Sequence, residues 1–145
     1  MKKVRAHISG IITNLPKGQK KKFLDFYDQL ALVCRRHGWQ TFVPHHFIDP
    51  EEFPASSPAE VYDREMRDLK EADVVIAYVG QPSLGVGMEV EAARAQNAII
   101  ILMSEKGTNV SRLIRGCPAV IHEIEFADFP DALKKLNEAL AKIEI

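Results

Sequence analysis

The sequence predicts an α/β protein built on a doubly wound, three-layer parallel sheet of five strands in the order 2-1-3-4-5. Three observations predict it. Short apolar runs alternate with segments of helical period along the chain. The run Ala98-Ile99-Ile100-Ile101-Leu102-Met103 is apolar without alternation, the pattern of a strand covered on both faces. The Gly-rich stretch Gln81-Pro82-Ser83-Leu84-Gly85-Val86-Gly87-Met88-Glu89 lies between a strand-like run at 74–79 and a helix-like run at 90–96. Such a sheet presents its ligand on a turn of this kind, at the carboxyl ends of its strands.

The elements follow in order. Residues 4–12 read as a first strand, interrupted by Ser9-Gly10. Residues 17–37 carry Phe23, Phe26, Tyr27, Leu30 and Val33/Cys34 at helical spacing, and Gly38 suits the helix C-terminus. Residues 40–44 are a short second strand, and 49–57, rich in Pro and acid, read as a loop. Ser57-Pro58-Ala59-Glu60 is a helix start, with a Ser N-cap, Pro at the first position and Glu at the third. That helix runs to about 71 and should turn Met66, Leu69 and Tyr62 to the core. Residues 73–79 form the third strand and 98–103 the fourth. Residues 104–109 are a loop, 110–115 a short helix and 119–124 a fifth strand. Asp128 caps a last helix at about 130–143, with Leu133, Leu136, Leu140 and Ile143 on one face. The strand order, flavodoxin- or Rossmann-like, puts the first and third strands at the switch point. The loops Ser9-Gly10-Ile11-Ile12-Thr13 and Gly80-Gln81-Pro82-Ser83 therefore meet there.

A length of 145 residues suggests a single domain spanning 1–145. With 46% hydrophobic and 27% charged residues the profile is that of a soluble globular protein, and a net charge of −1 gives no field to attract a nucleic acid polymer or an anionic membrane. No apolar run is long enough to span a bilayer, and the start lacks the features of a signal peptide, so the protein is expected to be cytoplasmic. Cys34 and Cys117 stand far apart without a CxxC pattern and read as apolar fillers. His45-His46 raise the question of a metal, but no third ligand stands at a sensible spacing, so neither metal nor cofactor is expected.

The candidate chemistry centres on Glu89. Placed in the first turn of a helix starting near Gly85, its carboxylate would face unpaired amides and be held ionised. That suits a nucleophile, although a side chain merely complementing the helix dipole would look the same. Gly85 and Gly87 let a ligand approach the backbone, and Ser83 adds a hydroxyl suited to phosphate. Of the next two acids, Asp63 and Glu65 differ by about 200° around their helix, so only one can face the switch point. Glu65, leaning toward Met66 and Leu69, is the choice. His7, on the first strand below the ligand loop, is either a satisfied core residue or part of the site.

At Tyr62-Asp63-Arg64-Glu65-Met66-Arg67-Asp68-Leu69, and again at Gln81 to Glu89, the chain resembles the nucleoside 2-deoxyribosyltransferase superfamily. The segment from Gln81 to Gly87 and the run Val110-Ser111-Arg112-Leu113-Ile114-Arg115-Gly116 are most similar to its 2'-deoxynucleoside 5'-monophosphate N-glycosidase branch. The resemblance implies that Glu89 attacks the anomeric carbon and forms a covalent glycosyl-enzyme, which water then releases. It implies that Ser83 and Gly85 hold a 5'-phosphate and that Ser111 reaches a phosphate across a homodimer interface, so that two copies share the active site. Three positions depart from the family pattern: Glu65 stands where an Asp is usual, His7 where a Tyr is common, and Gly10-Ile11-Ile12-Thr13 where the hydrolases carry a Ser and an Arg. Phosphate would then rely on backbone amides of the Ser9, Gly10, Ile12 and Thr13 loop, on Thr13, Ser83 and Ser111, or on a lysine from 17–22. The expected function is hydrolysis of the base–sugar bond of (deoxy)nucleoside 5'-monophosphates. The alternatives are base exchange by a deoxyribosyltransferase and a nucleotide-binding module without turnover. A response-regulator domain fails, because the first strand ends in Ser9-Gly10 rather than an acidic pocket.

Overall fold

The computed structural model describes residues 2–145. Five strands, β1 (Arg5–Ser9), β2 (Gln40–Phe42), β3 (Val74–Tyr78), β4 (Ile99–Glu105) and β5 (Val120–Phe126), form one parallel sheet in the order β2-β1-β3-β4-β5. Helices α1 (Lys20–Arg36), α2 (His45–Ile48), α3 (Pro58–Glu71), α4 (Leu84–Ala95), α5 (Arg112–Arg115) and α6 (Phe129–Leu140) connect them.

Alternation along the strands divides the interior in two. Ala6, Ile8, Val74, Ile76 and Tyr78 face α1 and α6, meeting Phe26, Leu30, Leu136 and Leu140. Val75, Ala77, Ile100 and Leu102 face the other way, against Leu69 of α3 and Val86, Val90 and Ala93 of α4. Every residue of β3 is buried, as a central parallel strand requires. Phe26 stacks on Phe129 with ring centroids 4.0 Å apart and fixes α1 against α6.

Several boundaries differ from those read in the sequence. β1 stops at Ser9 rather than residue 12, because its ladders with β2 and β3 end at His7 and Ser9. Pro16 and the left-handed Gly18 (φ 77°) delay α1 to Lys20. Gly38 (φ 81°) does follow the end of that helix. Residues 45–48, read without an element, form α2. Tyr62, expected at the core, is 53% exposed, while Leu69 on the same helix is fully buried. β5 continues to Phe126, and α6 ends at Leu140 with Asp128 as its N-cap.

The difference that matters most is at α4. Ser83 Oγ accepts the Val86 amide at 3.3 Å and starts the helix at Leu84, so Gly85 and Gly87 are helical rather than part of a turn. Glu89 consequently lies in the second turn, and no acidic residue occupies the first. The expected first-turn helix dipole contact for Glu89 is thereby corrected.

Gly10 follows β1 where a Cβ would lie 2.3 Å from the Tyr27 ring. Tyr27 cannot withdraw freely, since its hydroxyl donates to the Ile11 carbonyl at 2.8 Å. Gly10→Ala is expected to cost roughly 1–3 kcal/mol, read as a lower urea midpoint with an unchanged slope.

Candidate active site

His7, Glu65 and Glu89 come from β1, α3 and α4 and converge on the α3–α4 side of the sheet. The register His7↔Phe42 and His7↔Val75 fixes the imidazole between β2 and β3. Its ring stacks on Phe42 at 5.2 Å. Nε2 lies 3.1 Å from Glu89 Oε2 and 3.3 Å from Glu65 Oε2, so one N–H serves two carboxylates. The hydrogen bond goes to Glu89. Neither oxygen of buried Glu65 has a hydrogen-bond partner among the described residues. Asp63, two residues away on α3, is exposed, as the helical angle between them requires.

Burial alone would lower the His7 pKa, but the close approach of Glu65, the hydrogen bond to Glu89 and the charges of both carboxylates outweigh it and hold it at about 9. The ring is therefore an imidazolium at neutral pH. Glu65 moves upward from the ordinary carboxylate range, first through burial and then through the nearby Glu89 charge, with His7 opposing both. A buried, unpartnered carboxyl with a raised pKa is suited to carry a proton and give it to a ligand.

Above the two carboxylates opens a cleft of about 500 Å³. Its floor is Glu65 and Glu89. Its walls are apolar: Ile48, Pro50, Phe53 and Pro54 from the segment after β2, with Tyr62 and Met66 from α3. Gly85 and Met88 of α4 complete it. Flat apolar walls over two polar groups suit a heteroaromatic ring. The sequence offered no signal for the wall at 48–54 beyond its proline content.

The other expected site residues are distributed differently. Ser9 lies two residues beyond His7 on β1, fully buried, with an Oγ that has no partner among the described residues. Ile12 is half-buried and Thr13 exposed, and neither lines the cleft. Ser83, Gly87 and Ser111 line a second groove of about 1030 Å³ along α4 and α5, which shares Met88 with the first. Ser111 is exposed and makes no capping bond. Of the lysines at 17–22, Lys20 is engaged by Asp49 (2.7 Å) and Glu51 (3.0 Å), Lys21 by Asp25 (2.6 Å), and Lys22 sits over the Phe129 ring. Two groups of side chains bring together donors of the kind that hold metals, His7/Glu65/Glu89 and Asp28/His45/His46.

No family model matches the chain. It is 37% identical over 87 residues to a Thermofilum pendens protein assigned as 2'-deoxynucleoside 5'-phosphate N-hydrolase 1, a match spanning 58% of this chain and 61% of the relative. Among solved structures it superimposes on the Clostridium botulinum CMP N-glycosidase BcmB with a TM-score of 0.70 and 26% identity, covering 93% of this chain and 98% of that one. The chain resembles the nucleoside 2-deoxyribosyltransferase superfamily, and it spans less than two thirds of the length of the curated Thermofilum pendens relative. The same fold is seen in the 2-deoxyribosyltransferase of Bacillus psychrosaccharolyticus, at TM-score 0.63 and 17% identity, over 92% of this chain and 96% of that one.

Stability should depend on pH through His7. Its folded pKa lies above the ordinary 6.5, so its ion pairs contribute fully below about pH 6.5 and are lost as pH rises through about 9. Glu65, raised in the fold, also makes stability fall with rising pH. Denaturant titrations should show the wild type losing up to roughly 3 kcal/mol across that window relative to His7→Gln. Parallel profiles for the two proteins would contradict the charged state of His7.

Proposed function

We propose that the protein is an N-glycosidase that hydrolyses the base–sugar bond of nucleoside 5'-monophosphates through a covalent glycosyl-Glu89 intermediate. The observation that carries the reading is the pair Glu65 and Glu89, whose oxygens lie within 4.8 Å of each other and share one imidazolium at the floor of an apolar cleft. Carboxyl groups this close leave no room for a water between them and the sugar. They fit a double displacement, whereas single-displacement enzymes hold theirs roughly 6.5–9.5 Å apart.

The base occupies the apolar cleft and the anomeric carbon faces Glu89. A Glu89 oxygen bonds to that carbon as the carbon–nitrogen bond breaks, and the bonding electron pair leaves with the base. Glu65 gives its proton to the departing base. Its carboxylate then takes a proton from the water that attacks the same carbon. The ester to Glu89 breaks, and sugar 5-phosphate leaves with retained configuration. The His7 imidazolium balances the charge that moves between the two acids. Likeness to proteins named for deoxynucleoside 5'-phosphate and CMP hydrolysis supports a monophosphate substrate.

The phosphate falls to Ser83 and the amides at the start of α4, joined by Ser111 of a second copy. Support for the dimer comes from the groove that carries both serines. Leu84 is 92% and Leu113 88% exposed there, an apolar face that a second copy would cover. Ser111 does not line the Glu89 cleft of its own chain.

Incubation with ribo- and deoxyribonucleosides and their monophosphates, with and without a second free base, separates hydrolysis from base exchange by chromatography of the products. Glu89→Gln is expected to lower base release by at least about 10³-fold with an unchanged circular dichroism spectrum. Ser83→Ala should raise KM for the monophosphate more than for the free nucleoside. Equal effects on both would favour transfer between nucleosides. Leu113→Arg should yield a monomer in sedimentation and lose activity toward monophosphates, and a fully active monomer would end the shared-site reading.

A further inference from the structure

Asp28, His45 and His46 form a second convergence of side chains, remote in composition from the Glu65–Glu89 cleft. Asp28 lies on α1, and His45 and His46 open α2. Each histidine places Nε2 2.8 Å from the same atom, Asp28 Oδ1. The two rings meet edge to face with centroids 4.3 Å apart. The His45 side chain is 11% exposed, while His46 and Asp28 are 50% and 40% exposed. One donor is thus anchored in the protein, and the other two leave an ion a path from solvent.

Two imidazoles directed at one carboxylate oxygen use both N–H groups on a single acceptor. One divalent cation in their place would satisfy two nitrogens and the carboxylate together. Two imidazole nitrogens and one carboxylate oxygen match Zn²⁺ and its neighbours Ni²⁺ and Cu²⁺, whereas Ca²⁺ and Mg²⁺ require oxygen shells.

We propose that Asp28, His45 and His46 form a binding site for a divalent transition-metal ion of the zinc class, with water in the remaining position. None of the three lines the Glu89 cleft, so the ion acts as a tie. It would join α1 to the start of the segment whose Ile48, Pro50, Phe53 and Pro54 form one wall of that cleft. The same segment is already fastened to α1 further along, where Lys20 meets the buried Asp49. Binding does not depend on the glycosidase reading, because it is measured on the protein without substrate.

The test is calorimetric titration of the EDTA-stripped full chain with zinc chloride, alongside His45→Gln, His46→Gln, Asp28→Asn and Glu89→Gln. Circular dichroism melting in EDTA establishes that each variant is folded. One Zn²⁺ per chain in the micromolar range is expected, weakened at least about tenfold by each change in the triad and unaffected by Glu89→Gln. Zinc should also raise the wild-type melting temperature and shift the His45 and His46 imidazole nitrogen resonances. Absence of heat and of resonance shifts at millimolar zinc would overturn the proposal. So would binding that survives His45→Gln and disappears in Glu89→Gln, which would put the ion on the other cluster.

Discussion

A single imidazole lies between one buried and one partly buried carboxyl group, and the site cannot be described without it. Oxygens of Glu65 and Glu89 approach within 4.8 Å, where two negative charges would repel strongly. His7 offsets that repulsion through one nitrogen. Its position is set by the sheet: β1 pairs with β2 and β3 on either side, and Phe42 stacks on the ring at an inclination of 29°. The register of three strands therefore determines the charge balance of the site. The parallel order also places α3 and α4 side by side over β3, which brings an acid from each to the same imidazole.

The sequence made the architecture legible because its signals are short in range. Continuous apolar runs mark strands buried on both faces, and Ser57-Pro58-Ala59-Glu60 forms the capping box expected of it. Helical angle separates Glu65 from Asp63, and the lean of Glu65 toward Met66 and Leu69 selects it; Glu65 is buried and Asp63 exposed. The error at Glu89 has an equally local cause. Gly85 and Gly87 suggest a turn by composition, yet the Ser83 cap is enough to wind them into α4. Asp28 could not be found beside His45 and His46, because the fold, and not the spacing, brings α1 to α2. The wall at 48–54 was unreadable for the same reason.

The groove along α4 and α5 poses a different physical problem from the cleft. The cleft conceals its charges behind apolar walls, while the groove exposes Leu84 and Leu113. Met88 borders both, so α4 separates a region shaped for a flat ring from one edged with hydroxyls. A ligand with an aromatic part and an anionic part would span the start of this helix, with each end in surroundings of its own polarity.

The wall at 48–54 hangs from α1 by side chains instead of being woven into the sheet. The acids and the imidazole, in contrast, sit on elements locked by ladder hydrogen bonds and core packing. Changes in the suspended wall can therefore alter the shape of the cleft without moving Glu65, Glu89 or His7. The outline of the cavity is free to drift along a lineage while the charged cluster beneath it stays as it was.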